Sequence, residues 1–172
     1  MRNRYFIIYI VLLVAQIVFA NYLDLTQYAV LYFLPAMILC APVTTGTVPL
    51  MLLAFLSGLA FNFFSDGMLG IVSCSLVPVA LLRRPVVSLV IGSDVFNRKE
   101  NLSIAQHGLS KISTVCVLCQ AVFLLVFVIL DSAGTRTFAF NAIKFGVSLV
   151  IGTLASLVVF RLFNPKDIRK WT

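Results

Sequence analysis

Cys116 and Cys119 are separated by two residues, the spacing of a redox pair or of half a zinc site. Zinc takes four ligands, and a closed site would have to draw on Cys40, Cys74 and the single histidine, His107, none of which forms a second close pair. All four cysteines fall inside apolar runs, where a thiol acts as a small hydrophobe. Neither metal nor redox chemistry is expected. His107 lies in a polar segment with no acid placed to orient it, which makes it a poor general base. Asp24, Asp66 and Asp131 stand at polar breaks and Lys144 close to one, so they are expected as solvated loop charges. A pairing of Lys144 with Asp66 or Asp131 is left open. The chain has no Gly-rich phosphate loop, no HExxH, no GxSxG and no acidic cluster to hold magnesium, which argues against an enzyme and calls for no cofactor.

The elements that would carry these residues are set by composition. Of 172 residues, 61% are hydrophobic and 11% charged, against about 45–50% and 25% in soluble domains. The mean hydropathy is +1.07. This is the composition of an integral membrane protein, read as one membrane domain over residues 1–172 with no soluble domain beside it. The net charge of +7 does not point to nucleic acid, because the basic residues gather at the ends of apolar runs, where they set topology.

Six transmembrane helices are expected, near 5–22, 28–41, 48–64, 68–84, 112–130 and 140–160, in an all-α fold. Val18-Phe19-Ala20 also has the pattern of a signal-peptidase site, but cleavage there would leave an odd set of spans. The run 28–41 is short and contains Pro35, which is expected to kink it. Pro49 can open the next helix at its first turn. Residues 85–91 are apolar but too short to cross, so they either extend the fourth helix or lie along the surface. The polar segment 92–111 carries Ser103 and Gln106 at capping-box spacing and is expected to form an amphipathic helix. With six spans, eleven Lys and Arg residues fall on one side and two, Arg136 and Lys144, on the other. The positive-inside rule makes the richer side cytoplasmic, with both termini there. Arg83, Arg84, Arg98 and Lys99 are then candidate contacts to cytoplasmic partners or anionic lipid.

Two rows of small and polar residues recur at intervals of four. Ala54, Gly58, Asn62 and Asp66 share one face of the third span, and Ser148, Gly152 and Ser156 share one face of the sixth. Such rows let helices approach closely, so both are candidates for helix packing or partner contact. Asn62 is the most interior strong hydrogen-bonding side chain of its stretch, and an amide in lipid needs partners, so it is read as a bond between helices. Asp66 falls at the turn of a helical hairpin, where a carboxylate meets water and caps the next helix.

The string Phe55-Leu56-Ser57-Gly58-Leu59-Ala60-Phe61-Asn62-Phe63-Phe64-Ser65-Asp66-Gly67-Met68-Leu69-Gly70 resembles the GFLxGLxxDxxSxxxLG core of the MreD family of bacterial rod-shape-determining membrane proteins. The resemblance continues to Arg84-Pro85 and to the layout of about six spans, a basic inner loop and a short basic tail. It departs at Asn62, where that family commonly has an acid, and an acid stands instead at Asp66. The resemblance implies a fold similar to the substrate-binding subunits of energy-coupling-factor transporters. It also implies a non-catalytic scaffold of the bacterial inner membrane that binds MreC and, through it or directly, MreB, RodA and a class B penicillin-binding transpeptidase. The alternative is a membrane subunit that binds or transports a small solute of the vitamin type.

Overall fold

The computed structural model describes residues 2–22, 30–65, 70–92, 108–132 and 137–163. Of these, 87% are helical, and no strand occurs among them. The helices are α1 (Arg2–Tyr22), α2 (Leu34–Leu39), α3 (Thr47–Phe64), α4 (Ile71–Val90), α5 (Leu109–Ser132) and α6 (Phe138–Phe163). Five of them, all but α2, are long and apolar enough to cross a membrane.

The expected second span is the exception. Of the expected span 28–41, residues 28–29 lie outside the described residues, and residues 30–41 hold only the six-residue α2, about 9 Å long at ~1.5 Å per residue and far short of the ~30 Å hydrocarbon layer. Pro35 does not kink a longer helix; it lies in the first turn of this short one. Proline has no N–H, and its ring clashes with the carbonyl four residues back, so a helix running up from residue 30 is broken here. The chain still returns across the bundle. Asn21 Nδ2 at the end of α1 donates to the carbonyl of Phe64 at the end of α3 (2.9 Å), so these helices run parallel. Residues 30–46 must therefore lead from one end of the bundle back to the other.

The remaining boundaries fall close to the sequence expectation. Pro49 lies in the first turn of α3, and the Leu50 amide closes that turn on the Gly46 carbonyl at 3.3 Å. Residues 85–90 extend the fourth helix, which passes both Pro78 and Pro85. The expected amphipathic helix over 92–111 lies mostly outside the described residues; Gly108 has φ +82°, and Leu109 already begins α5.

The core is built from the inward faces of α3, α4 and α5 around α2, all six of whose residues are buried. Outward faces are apolar in turn, as with Ile7, Ile10, Val14, Leu52, Val150 and Leu154. The α3–α4 hairpin is the closest approach. A Cβ built on Gly58 would lie 2.6 Å from Ser73 Cα and 2.7 Å from its amide nitrogen, so only glycine fits there. At Gly146, on the outer face of α6, an added Cβ meets nothing within 4 Å.

Gly58→Val should therefore destabilise the fold by about 1–3 kcal/mol or more, the usual range for overpacking. Gly146→Ala should be neutral or stabilising by about 0.5–1 kcal/mol, the helix-interior difference between the two residues. Thermal unfolding of the detergent-solubilised protein measures both.

Candidate functional site

A non-helical stretch inside a membrane bundle exposes peptide groups that no water satisfies, so the surrounding protein must bond them. In residues 30–41 six freed groups meet polar side chains drawn from four of the long helices. The Leu31 carbonyl, which lost its helical donor to Pro35, accepts from Gln16 Nε2 on α1 at 2.9 Å. The Phe33 amide donates to the other end of that amide, Gln16 Oε1, at 3.0 Å. The Ala36 amide bonds Phe33 (3.1 Å), which leaves the Tyr32 carbonyl to accept from Gln120 Nε2 on α5 (3.1 Å). The Val30 amide donates to Ser148 Oγ on α6 (3.0 Å).

The same logic holds at the far end of α2. Ala41 turns its amide to Ile38 rather than to Met37, and the Met37 carbonyl accepts from the Tyr5 hydroxyl on α1 at 3.2 Å. The Ala41 carbonyl, just before Pro42, accepts from an Arg83 guanidinium nitrogen on α4. Four long helices thus hold one broken crossing through five side chains. The Tyr32 ring adds packing, with edge contacts to Phe61, Phe123 and Phe127 at centroid distances of 5.4, 5.3 and 5.0 Å.

Of the residues singled out by spacing, Ala54, Gly58 and Asn62 all lie on the buried face of α3. Gly58 packs against Ser73, and Asn62, 3% exposed, has no hydrogen-bond partner for its Nδ2 among the described residues. The bond between helices expected of Asn62 is not seen at that atom. Asp66 lies outside the described residues, as do Arg98, Lys99, Asp24 and His107. Ser148, Gly152 and Ser156 share the buried face of α6, turned to α5 and the broken crossing. The two rows therefore serve different seams within the bundle and do not meet in one site.

Arg83 and Arg84 part company. Arg84 is exposed, whereas Arg83 is 2% exposed and points inward, with its Nε unpartnered among the described residues. An arginine at that depth supports the crossing and is not the exposed contact expected of it. Lys144 is a second correction. It is 6% exposed rather than solvated, its Nζ lies 2.7 Å from Asp131 Oδ2, and it sits 5.6 Å above the Phe127 ring. Of the two partners left open, Asp131 is the one observed. Cys116 and Cys119 are buried free thiols, and no group of metal-ligating residues occurs among the described residues.

Spacing did not find Gln16 or Gln120. The rule applied to Asn62, that an amide in a span needs a partner, points to both, since each lies in the middle of an apolar run.

Fold and site together define a multi-pass helical membrane protein built around an irregular crossing segment. No protein-family description, curated protein or solved structure matches the chain.

Gln16→Leu leaves the Leu31 carbonyl and the Phe33 amide without partners at once. It should destabilise by roughly 2–6 kcal/mol, at ~1–3 kcal/mol per orphaned group, and chemical denaturation in detergent would measure it. For the ion pair, Lys144→Met and Asp131→Asn should each cost more alone than the second substitution adds, because a single change leaves a charge without its counter-ion. A double-mutant cycle on thermal stability reads that coupling.

Proposed function

We propose that this chain is a non-catalytic scaffold of the bacterial inner membrane, a protein resembling MreD that binds MreC and thereby links the cell-elongation cytoskeleton to peptidoglycan synthesis. MreB, RodA and a class B penicillin-binding transpeptidase are the further partners of this reading. It takes the chain across the bilayer six times, five times as a helix and once as the broken segment, in a fold like the substrate-binding subunits of energy-coupling-factor transporters. Both termini and the basic ends of α4, α5 and α6 then face the cytoplasm.

The observation that carries this reading is the engagement of the interior polar groups. Gln16, Gln120, Ser148, Tyr5 and Arg83 are bound to the backbone of residues 30–41. What the bundle offers other molecules is its outside: the apolar ribs of α1, α3 and α6, and exposed Arg84, Lys111 and Arg161 at one end. Apolar ribs fit the transmembrane helix of a partner, and exposed basic residues fit anionic lipid or an acidic cytoplasmic surface.

A second reading, a small-solute carrier, draws on Asn62 Nδ2 and Gln120 Oε1, buried polar atoms without partners among the described residues. Ligand binding to the folded form alone would raise its unfolding temperature.

Depletion in rod-shaped cells should round them, and affinity purification from membranes should recover MreC. Normal rods after complete loss would refute the scaffold, while a thermal shift with one member of a vitamin panel would establish the carrier in its place.

A further inference from the structure

Lys144, Ser148, Gly152 and Ser156 follow one another at intervals of four along the buried face of α6. Lys144 is taken up by Asp131 and Ser148 by the Val30 amide. Gly152 makes room. A Cβ built there would collide with Gln120 Nε2 and would lie 2.9 Å from Gln120 Cδ and 3.3 Å from Cγ, so the glutamine side chain lies against the bare backbone of Gly152.

Gln120 is fully buried, and only half of its amide is engaged. Nε2 reaches the Tyr32 carbonyl, while Oε1 has no partner among the described residues. One turn beyond Gly152, Ser156 is 1% exposed and its Oγ is likewise unpartnered. Side chains four apart on a helix have Cβ atoms about 5–6 Å apart. The Gln120 amide, seated on the Gly152 position, thus lies one helical turn from the Ser156 hydroxyl along the buried face of α6. One group is a pure acceptor and the other both donates and accepts, which is the pairing that a single buried water bridges.

We propose that a water molecule is bound between α5 and α6, donating to Gln120 Oε1 and hydrogen-bonded to Ser156 Oγ. This water fixes which way the Gln120 amide points, because only with Oε1 turned to the water does Nε2 face the Tyr32 carbonyl. The hold of α5 on the broken crossing then rests on hydration inside the bundle. The site does not depend on the scaffold reading, since it uses only groups within the bundle, and a solute held at Gln120 Oε1 would have to displace this water.

Radiolytic hydroxyl-radical footprinting of the full chain in nanodiscs tests it, since a bound water generates the oxidant in place. Cys116, one turn from Gln120 on α5 and 2% exposed, is the reporter, and the exposed Cys74 is the reference. Cys116 should be oxidised in the wild type, several-fold less in Ser156→Ala, and Ser156→Ala should lower the unfolding temperature by about 2–4 °C. An unmodified Cys116, modification equal in both proteins, or an unchanged or raised unfolding temperature each overturns the proposal. The last would show that the hydroxyl lies in a dry seam, where its removal relieves an unsatisfied group.

Discussion

A proline in a membrane-buried run leaves the carbonyl four residues before it without a donor, and the hydrocarbon interior supplies none. That constraint at Pro35, and the matching one where α2 stops before Pro42, organises the bundle. Leu31, Tyr32, Met37 and Ala41 each present a carbonyl that needs a partner, and α1, α4 and α5 provide them. Gln16 is the most economical of these supports, since one amide satisfies a carbonyl and an N–H two residues apart. The glycines follow from the same demand. Gly152 exists to let Gln120 pass, and Gly58 lets α3 and α4 close against each other.

How much of this could be read in the chain divides along a physical line. Whole helices were legible, because an 18- to 26-residue apolar stretch between polar breaks has one stable form in a membrane. The boundaries of α3, α5 and α6 fall within three residues of those expected from hydropathy and caps. Ala54, Gly58 and Asn62 on α3 and Ser148, Gly152 and Ser156 on α6 each share a buried face, as helical geometry requires of residues four apart, while Asp66 lies outside the described residues. The second span departs from expectation because hydropathy does not separate a helix from an irregular segment of equal polarity. Pro35 was the signal, but proline is tolerated inside α4 at two places, Pro78 and Pro85, so its presence alone does not decide. What decides is whether neighbouring helices carry polar side chains at the right depth. That is a tertiary fact, although Gln16 and Gln120 in mid-span announce that something must be bonded.

The charges show a related limit. A count of Lys and Arg says at which end of the bundle a residue sits, but not which way it faces around the helix. Arg83 and Arg84 are adjacent, hence about 100° apart around α4 at 3.6 residues per turn, and one is buried while the other is exposed. The buried one is the support for Ala41. Lys144 sits near a helix end, where a long side chain would normally reach water. It turns inward instead because Asp131, at the facing end of α5, and the Phe127 ring together provide a counter-charge and a polarisable surface. Both residues thus follow from which polar group is nearer than solvent.

Buried polar side chains inside a membrane span raise the presumption of a substrate path. Here most of them have a backbone partner already. An amide or guanidinium that bonds a peptide group of its own chain cannot donate that same hydrogen to a ligand without releasing the crossing, so a solute competing for Gln16 would have to break two bonds at once. The bundle's polar chemistry is thereby directed inward, toward holding residues 30–41, and its outward faces are left apolar over most of α1, where only 17% of the span is buried. A helix so little covered by its own chain, in a protein whose interior groups are largely engaged, has most of its side-chain surface free for lipid or for another helix. Assembly through that surface is the use that conflicts least with the bonds already made.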